Sequence, residues 1–499
     1  MRLQLIGVLG LLALASGCTP SARPADGGTG GGGGGGGSAG GIGGGTGGGL
    51  ADPCPALAAD AGAFDGYTSL LGCLRSTASA AQKDQAIAGF VSAVDARDGF
   101  PIVNGTQLVF VYVRDAKYDL AVGGGPTEHF DPALRNEPLR VAGEFGAWAP
   151  SAMAKEDRDF FHAVVPVAEP AAGKRWRYKF VAADGAGADA WFSDPLSRRF
   201  DYDANGRISI VRGGATQGHL EWLRSVHATQ LNVDRPISFY VPRGYDTGTQ
   251  RYPVLYMHDG NNLFDPDQPS AAPTSWEADA EAEAEIGAGR AREFIIVAVP
   301  NDANRMGEYT QGPDVVSGMT VGGDGDKYAD FLVRELKPLV DAKYRTLPAR
   351  ESTGILGSSL GGLISYYIGL KYPGTFKFVG GMSSTFDWGT PNMIELFQQA
   401  TGLSTRDQVF YLDSGGGPPA TGPCPFDGPN DGADNYCETL SMKTVLETAG
   451  LTTYPADANS APLMPANVDI MHWWEPNALH TEASWHARIH RVYWLFFRP

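Results

Sequence analysis

Thr353-Gly354-Ile355-Leu356-Gly357-Ser358-Ser359-Leu360-Gly361-Gly362 decides the fold. An apolar run ends in Gly-x-Ser-x-Gly. Leu363, Ile364, Tyr367, Ile368 and Leu370 then follow at helical spacing, as far as Tyr372-Pro373-Gly374. The pattern reads as strand, sharp turn, helix. A serine at such a turn sits in a strained backbone conformation, and glycines on either side let strand and helix approach closely. The turn lifts the Ser359 hydroxyl clear of the sheet. The start of the helix offers unpaired N–H groups and a positive dipole end where an oxyanion can form. A bare Gly-x-Ser-x-Gly is common by chance. The strand before it and the helix after it make Ser359 a candidate nucleophile rather than part of a glycine-rich turn.

Around this stretch, from residue 218 to 499, strands and helices alternate. Ile237–Val241, Tyr252–Met257, Phe294–Val299, Phe376–Gly380 and Val409–Leu412 read as strands. Ser275–Ile286, Tyr328–Val340 and Ile489–Phe497 carry helical spacing. Such alternation gives a mainly parallel sheet with helices on both faces. With Gly-x-Ser-x-Gly on a central strand, the expected fold class is α/β, an α/β-hydrolase.

The region ahead of it, residues 100–215, reads as all-β. Leu108–Val113, Pro138–Gly143, Phe160–Pro166, Arg175–Val181, Trp191-Phe192 and Arg207–Val211 are short strands separated by turn signals, as in an antiparallel sandwich. Gly143 to Trp148 (Gly-x-Phe-x-x-Trp), Tyr178-Lys179-Phe180, and Trp191 with Asp194-Pro195 resemble an early-set, immunoglobulin-like module of the glycogen-binding type. That resemblance implies that Trp148, Trp176 and Trp191 stack on sugar faces. The alternative is that these rings pack in the core or between domains.

Residues 54–99 are alanine-rich and helical in pattern, without recognisable chemistry. Residues 19–53 are nearly all Gly, Ser, Thr, Ala and Pro and hold no core. They read as a tether reaching ~30–35 Å as a coil. Residues 1–18 have a short positive start, an apolar run from Leu3 to Leu14, and Ala15-Ser16-Gly17-Cys18. This resembles a bacterial lipoprotein signal, which implies a lipidated Cys18, and Thr19 after it fits the outer membrane; an ordinary secretory signal with a free Cys18 is the alternative. The expected partners are therefore an outer membrane, through the lipid, and an ester substrate. The 56 acidic against 39 basic residues, net charge −17, argue against nucleic acid. Of five cysteines, Cys54 and Cys73 can pair, as can Cys424 and Cys437, and export would oxidise both pairs. No metal-ligand spacing is present, and no cofactor is expected.

A nucleophilic serine needs a base and an orienting acid. In this fold they follow the serine in the order acid, then histidine. His480, on a loop before the last helix, is the candidate base. His472, His486 and His490 are the rivals, the last two expected to face solvent on the helix. Asp434 is the candidate acid, with Asp413, Asp431 and Asp427 as alternatives and a plain N-cap as its structural reading. A Cys424–Cys437 bridge would hold the acid's loop. The oxyanion donors are expected at Leu360 and in the Gly260-Asn261 loop, where His258 is expected to be structural.

Tyr252-Pro253-Val254-Leu255-Tyr256-Met257-His258-Asp259-Gly260, Arg305 with Glu308-Tyr309-Thr310, Glu335-Leu336 with Pro338, Asp341 and Tyr344-Arg345-Thr346, Gly357–Gly362 and His480–Trp485 occur in order over residues 220–499. This resembles the putative-esterase family of α/β-hydrolases, which includes feruloyl, acetylxylan and enterobactin esterases. Asn261 stands where many relatives carry Gln. The resemblance implies a serine carboxylic-ester hydrolase acting through an acyl-enzyme on acylated carbohydrate or aromatic esters. A siderophore lactone esterase, an acyltransferase and a non-catalytic surface binding protein are the alternatives. The last usually loses the serine or histidine, and both are present.

Overall fold

The computed structural model describes residues 52–55, 61–118, 136–171, 173–184, 186–265, 275–420, 422–424, 432–454 and 468–499. Cys18, Asp427 and Asp431 lie outside the described residues, as do the leader and nearly all of the tether. Two helices come first, α1 (Ala63–Leu74) and α2 (Ala80–Asp95). Ser79 opens α2 with a reciprocal cap. Its hydroxyl accepts the Gln82 N–H at 3.3 Å, and Gln82 Oε1 accepts the Ser79 N–H at 3.0 Å. A Cys54–Cys73 disulfide joins α1 to the chain before it.

Ten strands follow among the described residues: β1 (Ile102–Asn104), β2 (Gln107–Val113), β3 (Asn136–Gly143), β4 (Ser151–Ala152), β5 (Ala154–Glu156), β6 (Phe160–Pro166), β7 (Arg177–Ala183), β8 (Asp189–Phe192), β9 (Arg199–Asp203) and β10 (Gly206–Ile210). One sheet has the order β1-β2-β6-β5. Alternation along β2 sends Val109, Val111 and Val113 onto α1 and α2. Leu108, Phe110 and Tyr112 point the other way, into a cluster with Val141, Tyr178, Phe180 and Phe192. Covered on both faces, β2 reads as an unbroken apolar run.

The second sheet runs β4-β3-β7-β10-β9 and does not stop there. Strand β11 (His219–Ala228) pairs with β9 through Leu220–Phe200 and Glu221–Arg199. Strand pairing therefore continues across residues 215–218, where the sequence suggests a boundary. The remaining elements are β12 (Val233–Val241), β13 (Val254–Met257), α3 (Ala278–Gly287), β14 (Ile295–Ala298), α4 (Arg305–Glu308), β15 (Pro313–Val316), β16 (Met319–Gly322), α5 (Gly325–Asp330), α6 (Lys337–Lys343), β17 (Thr353–Ser358), α7 (Leu360–Lys371), β18 (Phe378–Met382), α8 (Met393–Gln399), β19 (Val409–Ser414), α9 (Tyr436–Thr448), β20 (Ile470–Trp474) and α10 (Glu482–Phe496).

From β11 onward the order is β11-β12-β14-β13-β17-β18-β19-β20. β11 and β12 are antiparallel, and every pair from β14 to β20 is parallel. Alternate residues feed two cores. Tyr256, Ile355, Val379 and Phe410 join α7, α8 and α9 on one face. Leu255, Leu356, Met382 and Tyr411 join α3 and α10 on the other. The central strands β13, β17 and β18 present their carboxyl ends together, and ligand crevices in open α/β sheets lie at such ends.

Candidate active site

Ser359 sits between β17 and α7 with φ +55° and ψ −123°. That is a sparsely populated conformation for a residue with a side chain, held by its surroundings. Its N–H donates to the Met382 carbonyl at 3.0 Å, and its carbonyl accepts the Gly362 and Leu363 N–H groups at 3.1 Å each. A Cβ on Gly357 would come within 2.5 Å of the Gly361 backbone. Strand and helix are that close, so the motif needs its glycines. Ser359 Oγ has Thr385 Oγ1 as its hydrogen-bonding neighbour, at 3.5 Å, and makes no hydrogen bond to His480 here. Long serine contacts are common before substrate binds and tighten in the complex.

His480 Nδ1 lies 2.6 Å from Asp434 Oδ1. The imidazole is part exposed and leans edge-on against Trp485, at 5.1 Å between centroids, while the Asp434 carboxylate is buried. Asp434 has φ +56° and precedes Asn435, the residue at the N-cap position of α9. Its side chain makes no cap, so the N-cap reading is not realised. Its Oδ2 accepts the Ser383 hydroxyl at 2.7 Å and the Gly415 N–H. The Cys424–Cys437 disulfide and a Gly417–Ala433 bridge tie the chain on either side of it.

The rivals fall elsewhere. Asp413, near the end of β19, is fully buried and takes Arg488 Nε at 3.1 Å, Arg488 Nη2 at 3.2 Å and the Tyr411 hydroxyl at 2.8 Å. His472 lies on β20, and burial lowers its pKa to about 4. The expectation that His486 and His490 face solvent is corrected. His486 Nδ1 is 2.7 Å from the Trp276 carbonyl, and His490 packs edge-on against Trp494 at 4.6 Å. The cause is α3, which covers that side of α10.

The loop after β13 needs a second correction. Gly260 donates its N–H to the Val299 carbonyl at 2.9 Å, so it has none to offer an oxyanion. Its smallness serves the close approach instead: a Cβ would meet the Ala298 and Val299 backbone at 2.6–2.7 Å. Among the described residues, the N–H groups of Asn261 and Leu360 have no hydrogen-bond partner. The Asn261 side chain is clamped by Asn301, Nδ2 to Oδ1 at 3.0 Å. Asn301 Nδ2 reaches Asp259 Oδ1 at 2.5 Å, and Arg305 grips both Asp259 oxygens at 2.7 and 2.8 Å. Burial raises the Asp259 pKa, but the Arg305 charge and these hydrogen bonds outweigh it and hold the carboxyl below its usual range. His258 is buried on Tyr328, Nδ1 to hydroxyl at 2.8 Å, and burial pushes its pKa down to about 3. Asn262 Nδ2 donates to Glu482 Oε1 at 2.9 Å, which joins this loop to the segment carrying His480.

Sequence reasoning missed Ser383, Thr385, Asn435 and Arg488. Asn435 Nδ2 donates to the Ser383 carbonyl at 2.8 Å and to Thr385 Oγ1 at 3.1 Å. The usable signal was the Ser383-Ser384-Thr385 run directly after a buried strand.

A second concave site lies on the amino-terminal sheet. Trp148 and Trp191, 6.2 Å apart, line a cavity of about 750 Å³ with Lys179, Asp203 and Asn205. Trp176 is not there; its ring packs on Phe145 at 6.4 Å. The expected grouping of three tryptophans is reduced to two.

The sheet order, the helices on both faces and the elbow at Ser359 define an α/β-hydrolase fold. Residues 228–421 match the family model described as "Putative esterase". The uncharacterized protein YbbA of Bacillus subtilis (strain 168) is 28% identical over 156 residues, which is 31% of this chain. The match spans 58% of that relative's length. Among solved structures, a ferulic acid esterase superposes with a TM-score of 0.39 at 17% identity, over 56% of this chain and 98% of its own. The enterobactin esterase FES from Shigella flexneri does so with 0.37 at 13%, over 78% and 92%.

Proposed function

We propose that the protein is a serine esterase. The observation that carries this is the 2.6 Å Asp434–His480 contact, together with Ser359 at a strained elbow. Ser359 Oγ attacks the ester carbonyl carbon and gives its proton to His480 Nε2. Asp434 fixes the imidazole tautomer and stabilises the imidazolium. The Leu360 and Asn261 N–H groups receive the oxyanion, and each such donor contributes about 3 kcal/mol to the transition state. Collapse breaks the C–O bond, and the leaving alkoxide takes the proton from His480. Water, deprotonated by the same histidine, then releases the acid and restores the Ser359 hydroxyl. No step calls for a cofactor.

The substrate class we favour is an acylated carbohydrate or an aromatic ester of the feruloyl or acetyl type. The leader and tether support it, since they read as an exported lipoprotein anchored through Cys18. The Trp148–Trp191 cavity favours a second, accessory reading: two indole faces beside Lys179, Asp203 and Asn205 suit a sugar, which offers C–H faces for stacking and hydroxyls for hydrogen bonding. The test is hydrolysis of p-nitrophenyl acetate, methyl ferulate, acetylated xylan and a catecholate trilactone by wild type and Ser359→Ala. Serine-dependent turnover supports the mechanism, and the preferred ester names the class. Equal rates for the two proteins would overturn it.

A further inference from the structure

The Ser383 hydroxyl lies where three other side chains meet. It directly follows β18, is fully buried and has φ +46°. A hydroxyl has one proton and two lone pairs. Both lone pairs face groups that can only donate: Trp485 Nε1 at 3.2 Å and Arg488 Nη2 at 3.1 Å. The proton is therefore committed to the remaining neighbour, Asp434 Oδ2, at 2.7 Å. With the Gly415 N–H, it occupies Oδ2 and leaves Oδ1 to His480.

The hydroxyl also stands between Asp434 and a buried cation. Arg488 Nη2 is 3.9 Å from Asp434 Oδ2 and is engaged by Asp413 and Ser383 instead. Were the guanidinium to close onto Asp434 directly, it would draw on the carboxylate charge that steadies the imidazolium. A cheaper backbone is available, because glycine adopts positive φ without strain. A serine at this position keeps the strain and gains the hydroxyl.

We propose that Ser383 is a positioning residue, which orients the Asp434 carboxylate toward His480 and keeps Arg488 from pairing with it. The role rests on the reading of Asp434 and His480 as the acid and base of the esterase.

Ser383→Gly in the full-length protein tests it, since it removes the hydroxyl at a position whose backbone suits glycine. The expected result is a fall in kcat on the order of 10- to 100-fold with KM unchanged, from the loss of a hydrogen bond to a charged group. The downfield proton resonance of His480 Nδ1, assigned by its loss in His480→Ala, is expected to shift or vanish. Because Ser383 acts through Asp434, the same change in an Asp434→Asn background is expected to cost little more. A kcat within about two-fold of wild type with the resonance unmoved would overturn the proposal, as would an equal loss in both backgrounds. If Ser383→Gly does not fold, Ser383→Cys, with its weaker donor, is judged by the same criteria. Ser359→Ala in the same assay separates the two readings. Its retention of activity would overturn the esterase, whereas the resonance decides on Ser383 without any turnover.

Discussion

Arg488 and Asp413 pair at two points, Nε to Oδ2 at 3.1 Å and Nη2 to Oδ1 at 3.2 Å, with neither side chain reaching solvent. This pair decides which aspartate is left for the histidine. Asp413 lies near the end of β19, but its oxygens are spent on Arg488 and Tyr411. The two aspartates should therefore fail differently. Asp413→Asn leaves a buried guanidinium poorly compensated, and breaking such a pair costs about 3–5 kcal/mol. The expected outcome is a large drop in Tm. Asp434→Asn is expected to keep most of the stability and to lower kcat on the order of 10³- to 10⁴-fold, by favouring the wrong imidazole tautomer. Thermal melts and steady-state kinetics on both variants check this.

The loop after β13 offers a steric test. Gly260→Ala places a Cβ within 2.6–2.7 Å of the backbone of Ala298 and Val299. The loop has to shift, and the neighbouring Asn261 N–H moves with it. Loss of one oxyanion donor is expected to lower kcat by about 10²-fold or more. Arg305→Ala removes the clamp on Asp259 without that clash, and a smaller fall in kcat is expected from the same assay.

His258 links the core to pH. Burial lowers its pKa to about 3 in the folded protein, against an ordinary value of 6.5. The folded state keeps it neutral while the unfolded chain takes up a proton as pH falls below 6.5, so stability is lost on acidification. Between pH 7 and pH 5 this one group should remove about 2 kcal/mol. Asp279 and Asp194, raised by burial to about 7 and about 6, act in the opposite sense over part of that range. The clean readout is therefore a difference between proteins. Wild type is expected to lose more Tm between pH 7 and pH 5 than His258→Gln does; equal losses would count against a buried neutral His258.

The Cys424–Cys437 bridge closes a loop with a sequence separation of 13 and ties it to the first turn of α9, three residues after Asp434. Such a closure contributes about 3 kcal/mol in the chain-entropy model. Cys424→Ser is expected to lower Tm and kcat together, because the loop carries Asp434, the proposed acid. Cys54→Ser, which opens the bridge to Cys73 of α1, is expected to leave kcat on small esters unchanged. Parallel assays of the two variants check the contrast.

Much of this was legible in the chain. Gly357, Ser359 and Gly361 fixed the elbow, because steric crowding between strand and helix leaves few residue choices there. The place of His480 just before a terminal helix is legible in the chain, and the fold adds its contact with Asp434. β11 and β20 were not read as strands, since Glu221, His472 and Trp474 interrupt any simple alternation. The helix expected over 328–340 includes a π-helical segment, Phe331–Leu336, which side-chain spacing does not reveal. The bond from the Gly260 N–H to Val299 is not legible, because a backbone N–H carries no trace in sequence of where it donates. Ser383 and Arg488 escaped notice because their roles depend on contacts across 105 positions of chain.

The most direct measurement is covalent labelling by a fluorophosphonate, followed by mass spectrometry of the modified peptide. The account predicts stoichiometric modification at Ser359 in wild type, none in Ser359→Ala, and labelling slowed by orders of magnitude in His480→Ala. Modification at another residue, or at Ser359 with a rate indifferent to His480, would contradict it.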